Sequence, residues 1–252
     1  MNMKKEKISE AESIRLWQAN AEAWTELTRM GFDICRDHLN MPNFLSILPS
    51  VTGKEGLDIG CGEGANTRAV AALGCRMTAV DPCSNFVSRA GDPEDNGTIT
   101  FIEASATQLP FSSESFDFAI STMCLMDLPD LDRAFAEAFR VLKPGGFFQF
   151  SIVHPCFNLP GNYFEEGPYE EKWTFSSVPA ELKEKHGEFK VAHYHRPLST
   201  WINLLIGSGF CLEAMLEPRP TEEAVARFPH LAEARELAWF LHIRARKPGN
   251  NL

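Results

Sequence analysis

Five glycines and carboxylates fall within one short run, Leu57-Asp58-Ile59-Gly60-Cys61-Gly62-Glu63-Gly64, directly after an apolar segment and before a helix-forming one. Glycine is required where backbone approaches a ligand closely or takes a positive φ. In an open α/β sheet such a loop lies at the carboxyl edge, where the strand order reverses and ligands bind. The next apolar run ends in Val80-Asp81, and a carboxylate there can accept both hydrogens of a ribose diol. An adenosine-containing ligand follows from the two features together. Its class follows from spacing and charge. A dinucleotide loop reads G-x-G-x-x-G and seats a pyrophosphate at the helix start, whereas this loop reads G-x-G-x-G with Asp58 and Glu63 beside it. Carboxylates repel phosphate and attract an ammonium or sulfonium group, so S-adenosylmethionine is favoured over NAD.

Three histidines could handle protons. His154 leaves an apolar run at the same edge, and His193 and His195 close a long aromatic segment. Histidine is the usual base near neutral pH, and equally often a packed or solvated side chain. A metal site could be drawn from His154, His193, His195 and Asp127, but H-x-H alone is a weak signal and no metal is expected. Cys61 reads as a small residue in a tight loop, not as a nucleophile.

The elements that must position these residues alternate. Strand-like runs at 56–60, 75–80, 98–103, 116–121 and 147–153 are separated by helical ones, notably Ala65–Leu73 and Leu131–Leu142, which means right-handed βαβ units and a parallel sheet. Before them, Ile14, Trp17, Ala21, Trp24 and Leu27 recur at helical spacing within residues 9–48, and Pro42 and Pro49 should break that pattern. Residues 154–197 read as irregular, rich in Pro, Gly and aromatics (Phe157, Tyr163, Trp173 and Tyr194 among them), and serve as either a substrate lid or a dimerisation surface. A helix near Ser199–Ile206 and strands near Phe210–Glu217 and Ala238–Arg246 follow. The acidic stretch Thr221–Glu236 reads as a surface connection.

The residues 53–153 resemble class I S-adenosylmethionine-dependent methyltransferases of the small-molecule "methyltransferase type 11" branch. The resemblance is carried by L-D-I-G-C-G-E-G, Val80-Asp81-Pro82, Gln108-Leu109-Pro110-Phe111, Ser115-Phe116-Asp117 and Arg140-Val141-Leu142-Lys143-Pro144-Gly145-Gly146. It implies a Rossmann-like, doubly wound α/β fold: a seven-stranded, mostly parallel sheet with an antiparallel last strand, N-terminal helices and an aromatic insertion after strand 5. It also implies roles. Asp58 and the backbone of Gly60, Cys61 and Gly62 would hold the methionine portion, and Asp81 the ribose. Pro82 and Cys83 would lie against the adenine, Ser105 and Ala106 at its edge, and Ser121 and Thr122 along the cleft. Trp24 and Arg29 would cover the cofactor from the first helix, with Arg29 on the methionine carboxylate. The competing reading makes the tryptophans core and Arg29 solvated. The chain departs from the pattern twice. Ser105 stands where many relatives carry an acidic residue for the adenine amino group, and Met126-Asp127 where many carry histidine.

The expectation is one domain over residues 1–252: a helical cover at 9–48, a cofactor core at 53–153, a lid at 154–197 and closing elements at 198–252. Its activity would be methyl transfer from S-adenosylmethionine, leaving S-adenosylhomocysteine, to a small, partly apolar acceptor, with His154 as the candidate base. A non-catalytic S-adenosylmethionine-binding module and an NAD-dependent oxidoreductase are the alternatives. A net charge of −10 argues against nucleic acid as the main partner. No apolar run approaches the ~20 residues of a membrane span, the charged N-terminus lacks a leader's apolar core, and seven cysteines without a pairing pattern suit the cytoplasm. Nothing in the residues sets the oligomeric state.

Overall fold

A computed structural model describes residues 8–91, 97–157, 161–175 and 177–249. Residues 1–7, on which the reading of a missing leader partly rests, lie outside them. Seven strands form the main sheet: β1 (Glu55–Ile59), β2 (Arg76–Asp81), β3 (Ile99–Glu103), β4 (Phe116–Thr122), β5 (Leu142–Val153), β8 (Cys211–Leu216) and β9 (Phe240–Arg246). Their order is β3-β2-β1-β4-β5-β9-β8. The first five are parallel, and β9 runs antiparallel to both its neighbours. Strand order reverses between β1 and β4, which opens a cleft at their carboxyl ends.

Burial on both faces explains why the central strands are continuous apolar runs. On one face, Phe148 and Phe150 pack with Phe135 of α5 (Leu131–Val141) and with Trp201 of α7 (Leu198–Gly207). On the other, Phe118, Ile120 and Phe147 meet Phe44 of α2 (Met41–Ser46) and Val70 of α3 (Ala65–Ala71). The α5 helix is amphipathic at the spacing this needs: Leu131, Ala134, Phe135, Ala138 and Val141 are buried, and the Asp130 carboxylate caps the Arg133 N–H. No helix among the described residues is long and apolar enough to cross a membrane.

Three expectations need correction. The N-terminal helix α1 (Glu10–Arg29) stops just before Gly31, whose φ is +80°, and Pro42 does not break the second helical piece but follows a π-helical turn (Arg36–Asn40) that runs directly into α2. The 154–197 segment is not irregular. It holds an antiparallel hairpin of β6 (Gly167–Trp173) and β7 (Phe189–His195), joined through α6 (Ala180–His186). The strand-favouring Phe189, Val191 and Tyr194 within Phe189–His195 are a strand signal that the surrounding Pro and Gly obscure. Finally, 221–236 is anchored as well as exposed. It forms α8 (Glu222–Arg227) and a tight helical turn, and Ala224, Leu231 and Ala234 are buried, with Ala224 and Leu231 against Ile34 and Ala234 against Leu39.

Hairpin and first helix share one aromatic cluster. The Trp24 ring lies 5.0 Å from Trp173, 5.1 Å from Phe175 and 5.5 Å from Phe189, centroid to centroid. Aromatic pairs at such spacing add ~0.5–1.5 kcal/mol each beyond the area they bury.

Candidate active site

A cavity of about 620 Å³ opens at the carboxyl edge, between the loop after β1, the end of β2, α1 and the hairpin. That volume suits a drug-sized ligand.

The loop after β1 shows why glycine is required. Gly60 (φ +77°) sits under the Cys124 side chain, where a Cβ would collide with the sulfur. Gly62 (φ +54°) lines the cavity, and a Cβ there would enter open space that a ligand could use. Asp81 ties this loop to β2. Its Oδ2 accepts the Gly62 N–H at 2.9 Å and its Oδ1 the Cys83 N–H at 2.8 Å. Each oxygen keeps a lone pair for a ligand hydroxyl. Burial pushes the carboxyl up to about 6, against those two N–H bonds.

Gly60, Cys61, Gly62, Asp81, Pro82, Cys83, Ala106, Thr122 and Trp24 therefore all face the cavity. Thr122 Oγ1 there accepts from the Asn66 amide at 2.7 Å. Burial raises the Cys61 thiol well above its usual range, so it is inert as a nucleophile.

The other expected residues are placed elsewhere. Asp58 is fully buried behind the loop, where it accepts the Thr67 hydroxyl at 2.6 Å, and burial pushes it up to about 7. The Ser121 hydroxyl donates to the Ile59 carbonyl at 2.7 Å and braces β4 against β1. Arg29 is half exposed, donates to the Arg89 carbonyl and stands 3.9 Å from Glu63. Glu63 itself is held by Arg68 at 2.8 Å and Arg36 at 3.5 Å, so its charge is met within the protein. Ser105 lies outside the cavity wall and donates its hydroxyl to Glu10, a wall residue on α1.

His154 is also misplaced by the sequence reading. Side chains alternate along a strand. Val153, the last residue of β5, faces the cavity, so His154 turns away to Glu217 at 2.9 Å and packs on Phe157. Of the aromatics expected to wall the entrance, Trp173 faces the cavity and Phe157, Tyr163 and Tyr194 do not. Two histidines do face it: His230, and His193 on β7. The Nδ1 of His193 lies 2.5 Å from Asp127 Oδ1, and Asp127 Oδ2 accepts the Trp17 indole N–H at 2.9 Å. Residues that sequence reasoning missed include Glu10, Glu171 and Trp239. On β7, the strand-favouring types Phe189, Val191 and Tyr194 were the signal available, since Ala192 and Tyr194 are buried along with Phe189, Val191 and His193.

A family model for a methyltransferase domain matches residues 57–150. A solved S-adenosylmethionine-dependent methyltransferase from Mesorhizobium loti superposes with a TM-score of 0.67 at 29% identity, over 81% of this chain and 96% of that one. Residues 57–150 form a class I S-adenosylmethionine-dependent methyltransferase domain. The same domain is 41% identical over 88 residues to a ubiquinone/menaquinone biosynthesis C-methyltransferase of Bartonella bacilliformis, covering 32% of this chain and 29% of the relative. It is 33% identical over 100 residues to a demethylmenaquinone methyltransferase of Tropheryma whipplei, covering 40% and 42%. The chain thus matches less than half the length of these relatives. The methyltransferase cofactor, S-adenosylmethionine, fits the residues present: the Gly62 cradle leaves room where a side chain would stand, and Asp81 presents both oxygens beside it.

Proposed function

We propose that the protein transfers a methyl group from S-adenosylmethionine to a small, partly apolar acceptor held in the same cavity. One observation carries this reading: a single cavity joins the Gly60–Gly62 and Asp81 cradle to a wall of Trp173, Phe175 and Trp239. A binding module would need only the cradle.

In this reading Asp81 accepts the two ribose hydroxyls, and the Gly60-Cys61-Gly62 backbone follows the methionine portion. Pro82, Cys83 and Ala106 flank the adenine, and Trp24 covers it from α1. Asp58, Ser121 and Arg29 act behind the cradle, keeping its backbone in place. The cofactor supplies a methyl group on an activated sulfonium. The chain's task is to hold an acceptor atom in line with that group and to exclude water, and orientation of this kind lowers a barrier by roughly 7–11 kcal/mol. The aromatic wall does the excluding. All described cysteines are free thiols, which fits a reducing compartment such as the cytoplasm.

Calorimetry with S-adenosylmethionine and with NAD tests the reading. Micromolar to submillimolar binding of the first, without competition from the second, is the expected result. NAD binding alone would overturn it.

A further inference from the structure

We propose that His193 is the base that takes a proton from the methyl acceptor, and that the acceptor is a phenol-type compound methylated on its ring hydroxyl. The proposal rests on the methyltransferase reading above and names the acceptor class for the same cavity.

Three elements converge to fix this imidazole. β7 carries His193, the turn after β4 carries Asp127, and α1 carries Trp17 and Ser13. The Trp17 indole can only donate, so Asp127 Oδ2 is an acceptor, and the Ser13 hydroxyl donates to the Asp127 carbonyl at 3.2 Å. Asp127 Oδ1, 2.5 Å from His193 Nδ1, then receives the Nδ1 proton, which leaves Nε2 with its lone pair. His193 and Asp127 are 7% and 6% exposed, yet both face the cavity. A buried ionisable pair is costly and gives no fold stability that an apolar pair of the same size would lack. Its position on the cavity wall gives it a use.

The groups around His193 set its strength. Burial lowers its pKa, but the Asp127 charge and hydrogen bond, with Glu171, outweigh that and leave it above the usual histidine value. From β6, Glu171 Oε2 lies 3.7 Å from Nε2 and the Tyr169 ring 5.5 Å from the imidazole. From α1 the facing groups are uncharged Trp17 and Ser13. On its own strand Tyr194 and His195 are adjacent, and His195 Nε2 is bonded to the Tyr163 carbonyl. A base of this strength can take a proton from a phenol, whose pKa is near 10 as in tyrosine. The flat walls of Trp173, Phe175 and Trp239 suit an aromatic ring.

The step balances. The phenol O–H bond breaks and its proton passes to Nε2, while an oxygen lone pair forms the new O–CH₃ bond. The methyl–sulfur bond breaks, its electron pair returns to sulfur, and the positive charge moves from sulfur to His193. The imidazolium then gives its proton to solvent.

The test uses p-nitrophenol, whose absorbance reports its own ionisation, with the full chain. Wild type should bind it with the ionisation midpoint lowered by about one pH unit or more. His193→Gln should abolish that shift and Asp127→Asn should reduce it, with S-adenosylmethionine affinity within threefold of wild type in both. With S-adenosylmethionine present, 4-nitroanisole should form, about 10²–10⁴-fold more slowly in His193→Gln. The acid limb of the pH–rate profile should move to lower pH in Asp127→Asn. Nuclear magnetic resonance of the wild-type His193 ring, which needs no variant, should show protonation when the probe binds. Absence of probe binding at millimolar concentration, an unprotonated His193 in the complex, or a probe spectrum unchanged in His193→Gln would overturn the proposal. If S-adenosylmethionine itself fails to bind wild type, the methyltransferase reading falls instead.

Discussion

The Glu10 carboxylate of α1 accepts a hydrogen bond from the Ser105 hydroxyl just beyond β3, and it also faces the cavity. The family resemblance implies that Ser105 stands where many relatives carry an acidic residue for the adenine amino group. On the function proposed above, Glu10 of the first helix brings a negative charge to the corner where the adenine would lie. Thr107 holds Ser105 in turn, its N–H donating to the Ser105 oxygen at 3.0 Å.

Removing the Glu10 carboxylate should therefore weaken cofactor binding. Hydrogen bonds to charged groups contribute ~1.5–3 kcal/mol, so Glu10→Ala should lower S-adenosylmethionine affinity about tenfold or more in calorimetry. An unchanged dissociation constant would place the adenine elsewhere.

Asp81 makes cofactor binding sensitive to pH. Its folded-state pKa, raised by burial to about 6, means that the carboxylate present at neutral pH is protonated below that value and accepts less well. Affinity should hold from pH 8 to pH 7 and fall as pH drops through 6. Asp81→Ala should bind at least tenfold more weakly at pH 7.5 and lose this pH dependence. Calorimetry at several pH values in both proteins checks both statements.

Asp58 should affect stability and not binding. Its raised value, about 7 against an ordinary 3.8, means that the folded state keeps a proton that the unfolded chain has already released. The folded state binds more protons between the two values, so this group makes stability fall as pH rises from about 4 through 7. Asp58→Asn, always neutral, should be more stable than wild type above pH 7, of the order of 1–3 kcal/mol. The difference should vanish near pH 4. Urea melts across that range give the profile, and S-adenosylmethionine affinity should stay within threefold.

His154→Ala should lower stability by roughly 1–2 kcal/mol, because it removes a buried ring bonded to Glu217 and packed on Phe157. Cofactor affinity should not change. A change in affinity larger than threefold would mean that His154 reaches the cavity.

The parallel core was legible because two-sided burial writes each strand as a compact apolar run, as in Phe116–Ser121 and Phe147–Val153. The cradle was legible for a similar reason: its glycines and Asp81 are local signals. Contacts between distant positions were not. Asp127 and His193 are 66 residues apart, and Glu10 and Ser105 are 95 apart, so no spacing rule joins them. His154 failed on phase alone. The face a strand's last residue takes depends on register, and Val153 took the inward one. The hairpin was missed because Pro and Gly at 160–161, 167–168 and 187 outweighed the strand-favouring Phe189, Val191 and Tyr194 of β7.

On the function proposed above, Trp24 belongs to the cofactor's cover and to the acceptor's wall at once, since its ring packs on Trp173, Phe175 and Phe189 of the hairpin segment. The two ligands consequently share one door. Swinging the hairpin out to admit or release an acceptor pulls a partner away from the ring that shields the cofactor, and lifting α1 unseats the hairpin. Exchange of either ligand then runs through the same opening motion, so their dissociation rates should rise and fall together, as solvent viscosity and substitutions at Trp24 would report.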